Sequence, residues 1–270
     1  MPDVGEIEIV IARDLEDSVR RRLSGEQARS FSAQRISGAV GAKTIPTERG
    51  CVIVVDSRLL IPGAAAGAGI DVPRMFEHEA WHVALGHRDE DFYAGLERLQ
   101  PTGAEAQYVG QALVLIDDYR VERALFEGGF ALDPSYVPST AETLEACAAT
   151  MLDAITNRYP GEPITRCFET AVSAFNSLTT HLGYLAAAGA DVGDLRQLER
   201  WPRLVGEHYD ALGASLEPLP SAASAADAGL LDTAARAAGE LLHDWLALVG
   251  FEIRDHNGGI YFDVLRHDFE

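Results

Sequence analysis

The chain has no apolar run approaching the ~20 residues of a membrane-spanning helix. Its opening, Met1-Pro2-Asp3-Val4-Gly5-Glu6, has neither the basic segment nor the apolar core of a secretory signal. Membrane insertion and export are therefore not expected, and the expected location is the cytoplasm. Cysteine is scarce: Cys51, Cys147 and Cys167 are odd in number, irregularly spaced and form no CxxC pair. That excludes a disulfide framework or a cysteine metal pair and fits a reduced interior. Basic charge is scarce too, with 22 Lys and Arg against 42 Asp and Glu, a formal net charge of −20, and Lys43 as the single lysine. Such a surface repels polyanions, so no nucleic-acid partner is expected. There is no internal repeat, and the one biased tract is the alanine-rich stretch near Ser221–Ala228. What is present is 270 residues, 47% of them hydrophobic, enough for one large domain or two small ones without covalent staples.

Ile7, Ile9, Val10 and Ile11 read as a short strand, followed by an Arg-rich amphipathic helix through Val19 and Leu23 that Gly25 ends. Cys51-Val52-Ile53-Val54-Val55 is a continuous run, rich in β-branched residues, consistent with a buried strand. Pro62–Gly69 reads as a loop that could rim a cleft, and Pro73 sits where a helix can begin. Ala104 to about Glu127 suits a long, largely buried helix that Gly128-Gly129 terminates. Beyond Pro138, helical patterns run over 139–158, 163–188, 194–214 and 224–249. The end reverts to strands, Phe251–Ile253 and Ile260–Val264, flanking the turn signal His256-Asn257-Gly258-Gly259. The expected fold is thus α+β and predominantly helical. A small N-terminal sheet packs on the helix at 78–82, within a core at 1–138. Residues 139–270 are expected to form a mostly helical region that ends in a β-hairpin, with wrapping on that core as one body the favoured arrangement.

His78-Glu79-Ala80-Trp81-His82 is an HExxH string. On a helix, histidines at i and i+4 stack on one face, so both imidazoles can reach one Zn²⁺. The glutamate between them is then placed as a general base beside metal-bound water. Val83-Ala84-Leu85 continues the helix, and Gly86 is the expected residue just past its end. A catalytic zinc usually takes three protein ligands. The metzincin continuation needs glycine and histidine where Leu85 and Arg88 stand, and His87 reads as a solvated or capping residue. The remaining source is Asp117-Asp118-Tyr119-Arg120-Val121-Glu122. There Asp118 and Glu122 share a helix face among apolar neighbours, where an unpaired charge is costly. Asp118, Glu122 or both could complete a set with His78 and His82. The bland alternative is a solvated acidic face paired with Arg120 and Arg123. Trp81 faces away from the histidines as core.

The strand at 51–55, the helix His78–His87 and the acidic helix together resemble the gluzincin-type zinc metallopeptidases. In layout they look most like the intracellular ImmA/IrrE-type peptidases. The resemblance covers roughly residues 50–127. It implies an intracellular zinc-dependent peptidase or amidase acting on a peptide, protein or amide substrate, with Glu79 as base. It also implies an acidic third ligand, usually glutamate in that group, with a polar support one turn further on. An oxyanion donor would be a Tyr, His or Arg, and Tyr108, Tyr119, His181, His208, His243 and His256 qualify by type alone. The alternative keeps the metal without proteolysis, as a regulatory binding module or an accessory enzyme acting on a small molecule.

Overall fold

The structure, a computed structural model, describes residues 6–23, 25, 28, 31, 34–35, 38–61, 71–132, 136–158, 164–190, 203–248 and 250–264. The Pro62–Gly69 loop lies outside them. The chain opens with β1 (Glu6–Ala12) and α1 (Leu15–Arg20), whose N-cap Asp14 accepts from the Asp17 amide. Here α1 ends five residues before Gly25, because residues 21–23 continue as a turn in which the Arg22 and Leu23 amides bond back to Val19. A two-residue ladder, β2 (Gln34–Arg35) with β3 (Gly38–Ala39), precedes β4 (Ala42–Thr47) and β5 (Gly50–Asp56). The sheet runs in the order β1-β5-β4, with β1 parallel and β4 antiparallel to β5.

Central position explains why Cys51–Asp56 is buried on both faces. Val52 and Val54 pack with Ile45, Leu15 and Val19 on the α1 side. Cys51, Ile53 and Val55 pack on the other side against Met75, Phe76 and Val83 of α2 (Val72–His87). Pro46 sits on edge strand β4, where a missing amide costs no ladder bond. In β1, Ile7, Ile9 and Ile11 remain exposed, because α2 lies over β4 and β5.

The start of α2 is set by Asp71, whose carboxylate accepts from the Arg74 amide, with Pro73 in the first turn. Its end differs from expectation. Gly86 stays helical and His87 is the last residue, while Asp89, at φ 54°, takes the left-handed position. Amides of Asp89 and Glu90 close on Gly86 and Leu85 carbonyls at 3.1 and 3.0 Å, so an aspartate fills the expected glycine's role.

Two helices follow, α3 (Phe92–Leu99) and α4 (Gly103–Glu127), the latter buried along most of its length and stopped at Gly128-Gly129. Then come α5 (Tyr136–Arg158), α6 (Ile164–Ala187), α7 (Arg203–Leu216) and α8 (Ala228–Leu248). The largest hydrophobic cluster draws Tyr108, Val109, Ala112, Leu115 and Ile116 of α4 together with Phe175, Leu178, Leu182, Leu242 and Trp245 from beyond residue 138. Gly183 lets α6 close on α4, since a Cβ there would lie 2.4 Å from Leu115. Residues 224–227 are not helical, because Arg120 holds this stretch to α4 through Pro220 and Ser224 carbonyls, and Asp227 then caps α8. The hairpin of β6 (Phe251–His256) and β7 (Gly259–Val264) turns on Asn257 and Gly258, both at positive φ as a two-residue I′ turn requires. Its Asp255 carboxylate accepts from the Ala104 amide at 2.9 Å and so caps α4, whose Thr102 supplies no side-chain cap.

Candidate metal centre

Packing on two sides orients α2. Met75, Phe76 and Val83 meet the sheet, while Trp81 and Leu85 meet Val121, Ala124 and Leu125 of α4. Trp81 is therefore core, as its position suggested. The seam left between α2 and α4 receives Arg74, His78 and His82, spaced four residues apart on one face. Opposite them stand Asp118 and Glu122, one turn apart on α4.

The two carboxylates meet different atoms. Asp118 Oδ1 lies 3.3 Å from His82 Nε2 and 4.0 Å from His78 Nε2, and the two Nε2 atoms are 3.1 Å apart. Among the described residues, His78, His82 and Asp118 form a group whose donor atoms all lie within 4.8 Å of one another. A point equidistant from the three donors lies about 2.1 Å from each, the length of a zinc–nitrogen or zinc–oxygen bond. Glu122, the other candidate for the third ligand, stands behind His78: Oε1 is 2.9 Å from Nδ1, and the other oxygen pairs with Arg74. Helix geometry explains the difference between the two carboxylates. One turn further along α4, Glu122 lies opposite the outer nitrogen of the first histidine and past the point where the two Nε2 atoms converge. A carboxylate on Nδ1 fixes the tautomer that leaves Nε2 free to bind a metal.

Glu79 is buried, and its Oε2 accepts from the Thr44 amide at 2.7 Å and the Thr44 hydroxyl at 2.6 Å. Burial would push this carboxyl up, but His78, His82, Lys43 and the Thr44 hydrogen bond hold it below its ordinary value. At Asp118 burial likewise opposes ionisation, and the hydrogen bond from His82 with the charges of His82, His78 and Lys43 holds the carboxyl down at about 2. Burial disfavours charge on His78 as well, yet Glu122, Glu79 and Asp118 raise its pKa. Three buried carboxylates thus draw positive charge onto a histidine of the metal-free chain, and a divalent cation on the same nitrogens would answer that demand. His78, His82 and Asp118 could together hold a metal ion.

Asp117 faces away from this seam and accepts from the Phe92 amide at 2.8 Å, anchoring α3. Burial, with Asp91 and Asp118 nearby, pushes its carboxyl well above the ordinary value. Nor do Arg120 and Arg123 neutralise the site carboxylates. Arg120 binds Glu90 and loop carbonyls, and Arg123 binds the Tyr119 hydroxyl and the Glu217 and Leu219 carbonyls. His87 lies half-buried at the end of α2, outside the triad.

The six residues considered as oxyanion donors have partners elsewhere. Tyr108 lies under the hairpin against His243, Tyr119 meets Arg123, His181 meets Thr140, His208 stacks on Trp245, and His256 contacts Tyr261 in the hairpin. The aromatic ring beside the site is Tyr184 of α6, its centroid 6.3 Å from that of His78. Sequence spacing gave no reason to select it, since it reads as one more position on an apolar helix. Arg74 and Thr44 were also missed. Arg74 had a signal, standing one turn before His78 on the same face; Thr44 lies 35 residues away on another element. Comparison with family models, curated proteins and solved structures finds no match for the chain.

Proposed function

We propose that the chain is a zinc-dependent metallohydrolase of gluzincin type, cleaving a peptide or other amide bond with Glu79 as general base. The observation that carries this reading is the convergence of His78 Nε2, His82 Nε2 and Asp118 Oδ1, with Glu79 buried on the same helix turn. When bound, zinc supplies an acidified water and polarises the scissile carbonyl. Glu79, its carboxyl held in the ionised form, takes the proton of the attacking water and passes it to the leaving amine. His78 and His82 would hold the ion through Nε2, with Asp118 adding a carboxylate. Glu122 keeps His78 in the binding tautomer, with Arg74 balancing its charge. Tyr184, whose ring centroid lies 6.3 Å from that of His78, is the candidate proposed to meet a developing oxyanion.

The proposed location is the cytoplasm. Among the described residues no helix is long and apolar enough to cross a membrane, and Cys51 and Cys147 are buried free thiols. Burial pushes the Cys147 thiol up to about 12, so it stays inert.

The second reading, a metal-containing regulatory module or accessory enzyme without proteolysis, draws on one observation. Glu79 already accepts two hydrogen bonds from Thr44, as a purely structural tie between helix and sheet would. Metal analysis and hydrolysis of a fluorogenic peptide library separate the two. The hydrolase reading expects one zinc per chain, lost in His78→Ala and kept in Glu79→Gln, and cleavage abolished in both variants. Zinc retained by wild type with no cleavage across the library favours the module.

A further inference from the structure

The double contact between Thr44 and Glu79 has a chemical asymmetry. Thr44 lies opposite Ile53 in the β4–β5 pair, yet its amide points away from β5 and donates to Glu79 Oε2 at 2.7 Å. Its hydroxyl donates to the same oxygen at 2.6 Å, the nearer of two acceptors, the other being the Glu79 carbonyl at 3.3 Å. Pro46, two residues on and on the same outer edge, has no amide to offer. One residue of the sheet therefore occupies the lone pairs of one carboxylate oxygen, while Oε1 makes no hydrogen bond among the described residues. A buried carboxylate needs such partners to stay ionised. An acceptor with both donors on Oε2 can receive a further proton only at Oε1.

We propose that Thr44 is a positioning residue for the base, clamping Oε2 of Glu79 so that Oε1 alone takes the proton, which rests on the metallohydrolase reading above. The two donors serve different ends. The amide fixes where the carboxylate sits relative to the sheet. The hydroxyl fixes its rotation, because a second donor on the same oxygen removes the freedom to exchange Oε1 and Oε2.

The test uses the zinc-loaded full chain with acetohydroxamate as probe, its binding measured by calorimetry. This small chelator binds a metal through two oxygens and shares its hydroxamic proton with a neighbouring carboxylate, so its affinity reads both the ion and the orientation of the base. Thr44→Val removes the hydroxyl donor and keeps the amide and the strand-favouring shape. It is expected to retain one zinc per chain and lose about tenfold in acetohydroxamate affinity, the size of one charge-assisted hydrogen bond. Thr44→Ser is expected to restore affinity to within about threefold, and in a Glu79→Gln background Thr44→Val should cost nothing further. Thr44→Ala provides the same comparison should valine disturb the strand. Full zinc with wild-type probe affinity in Thr44→Val and Thr44→Ala would overturn the role of Thr44 alone. Wild-type chain that takes up no zinc would overturn the metallohydrolase reading and this proposal with it.

Discussion

Removing Glu122 should weaken the metal site without abolishing it, and removing Asp118 should do far more. Side-chain exposure at Glu122 is 3%, its Oε1 is 2.9 Å from His78 Nδ1, and its other oxygen is paired with Arg74. Glu122→Ala therefore frees the His78 ring to adopt the wrong tautomer and leaves Arg74 facing a buried gap. Loss of such a support typically costs about 10–100-fold in metal affinity, or roughly 1.4–2.7 kcal/mol. Glu122→Gln keeps an oxygen that can accept from Nδ1, so it should sit at the mild end of that range. Asp118 supplies one of three donors. If a zinc site is worth about 10–16 kcal/mol, one lost donor accounts for roughly 3–5 kcal/mol, more than about a hundredfold. The assay is competition against a chromophoric chelator at fixed pH, with circular dichroism confirming that each variant is folded. The expected order of affinity is wild type, Glu122→Gln, Glu122→Ala, Asp118→Ala. Asp118→Ala binding more tightly than Glu122→Ala would refute the assignment of ligand and support.

Three further outcomes follow from other parts of the fold. Arg120 is fully buried and bonded to Glu90 at 2.6 Å and to the Pro220 and Ser224 carbonyls. Arg120→Met should cost about 3 kcal/mol in denaturant unfolding, by leaving buried Glu90 with Arg88 as its remaining ionic partner and by removing the side-chain bonds to the Pro220 and Ser224 carbonyls, and Glu90→Gln in that background should recover part of it. His208 is buried against Trp245, and burial holds its pKa down at about 3. A histidine depressed in the native state takes up its proton on unfolding first. Its contribution is therefore intact above about pH 6.5 and is lost at about 1.4 kcal/mol per pH unit as pH falls toward 3. In the metal-free form, wild type should lose about 2 kcal/mol more than His208→Phe between pH 7 and pH 5, and equal losses would contradict the cause assigned. Zinc at about a hundred times its Kd should raise stability by about 2.7 kcal/mol, seen as a higher melting temperature that a chelator reverses and His78→Ala lacks.

Local signals were readable from sequence wherever a single element decided the outcome. The run Cys51–Val55 is buried on both faces because it is the middle strand, and the Asn257-Gly258 pair makes the hairpin turn its positive φ values demand. The spacing of His78 and His82 placed them on one face, and that of Asp118 and Glu122 did the same on α4. What spacing could not supply was the relation between the two helices. Which carboxylate faces Nε2 and which faces Nδ1 depends on how α4 docks on α2, set by Leu85, Trp81, Val121 and Leu125. Thr44 and Tyr184 reach the site only through sheet order and the α4–α6 approach at Gly183. Gly86 misled because glycine usually ends a helix, whereas here closure falls to Asp89.

X-ray absorption at the zinc edge of the reconstituted chain is the most direct measurement of the centre. Two imidazole nitrogens and a carboxylate oxygen, all at about 2.0–2.2 Å, are expected, with the oxygen contribution reduced in Asp118→Ala and unchanged in Glu122→Gln. A wild-type spectrum lacking two histidine nitrogens, or an oxygen ligand lost in Glu122→Gln and kept in Asp118→Ala, would contradict a site built from His78, His82 and Asp118.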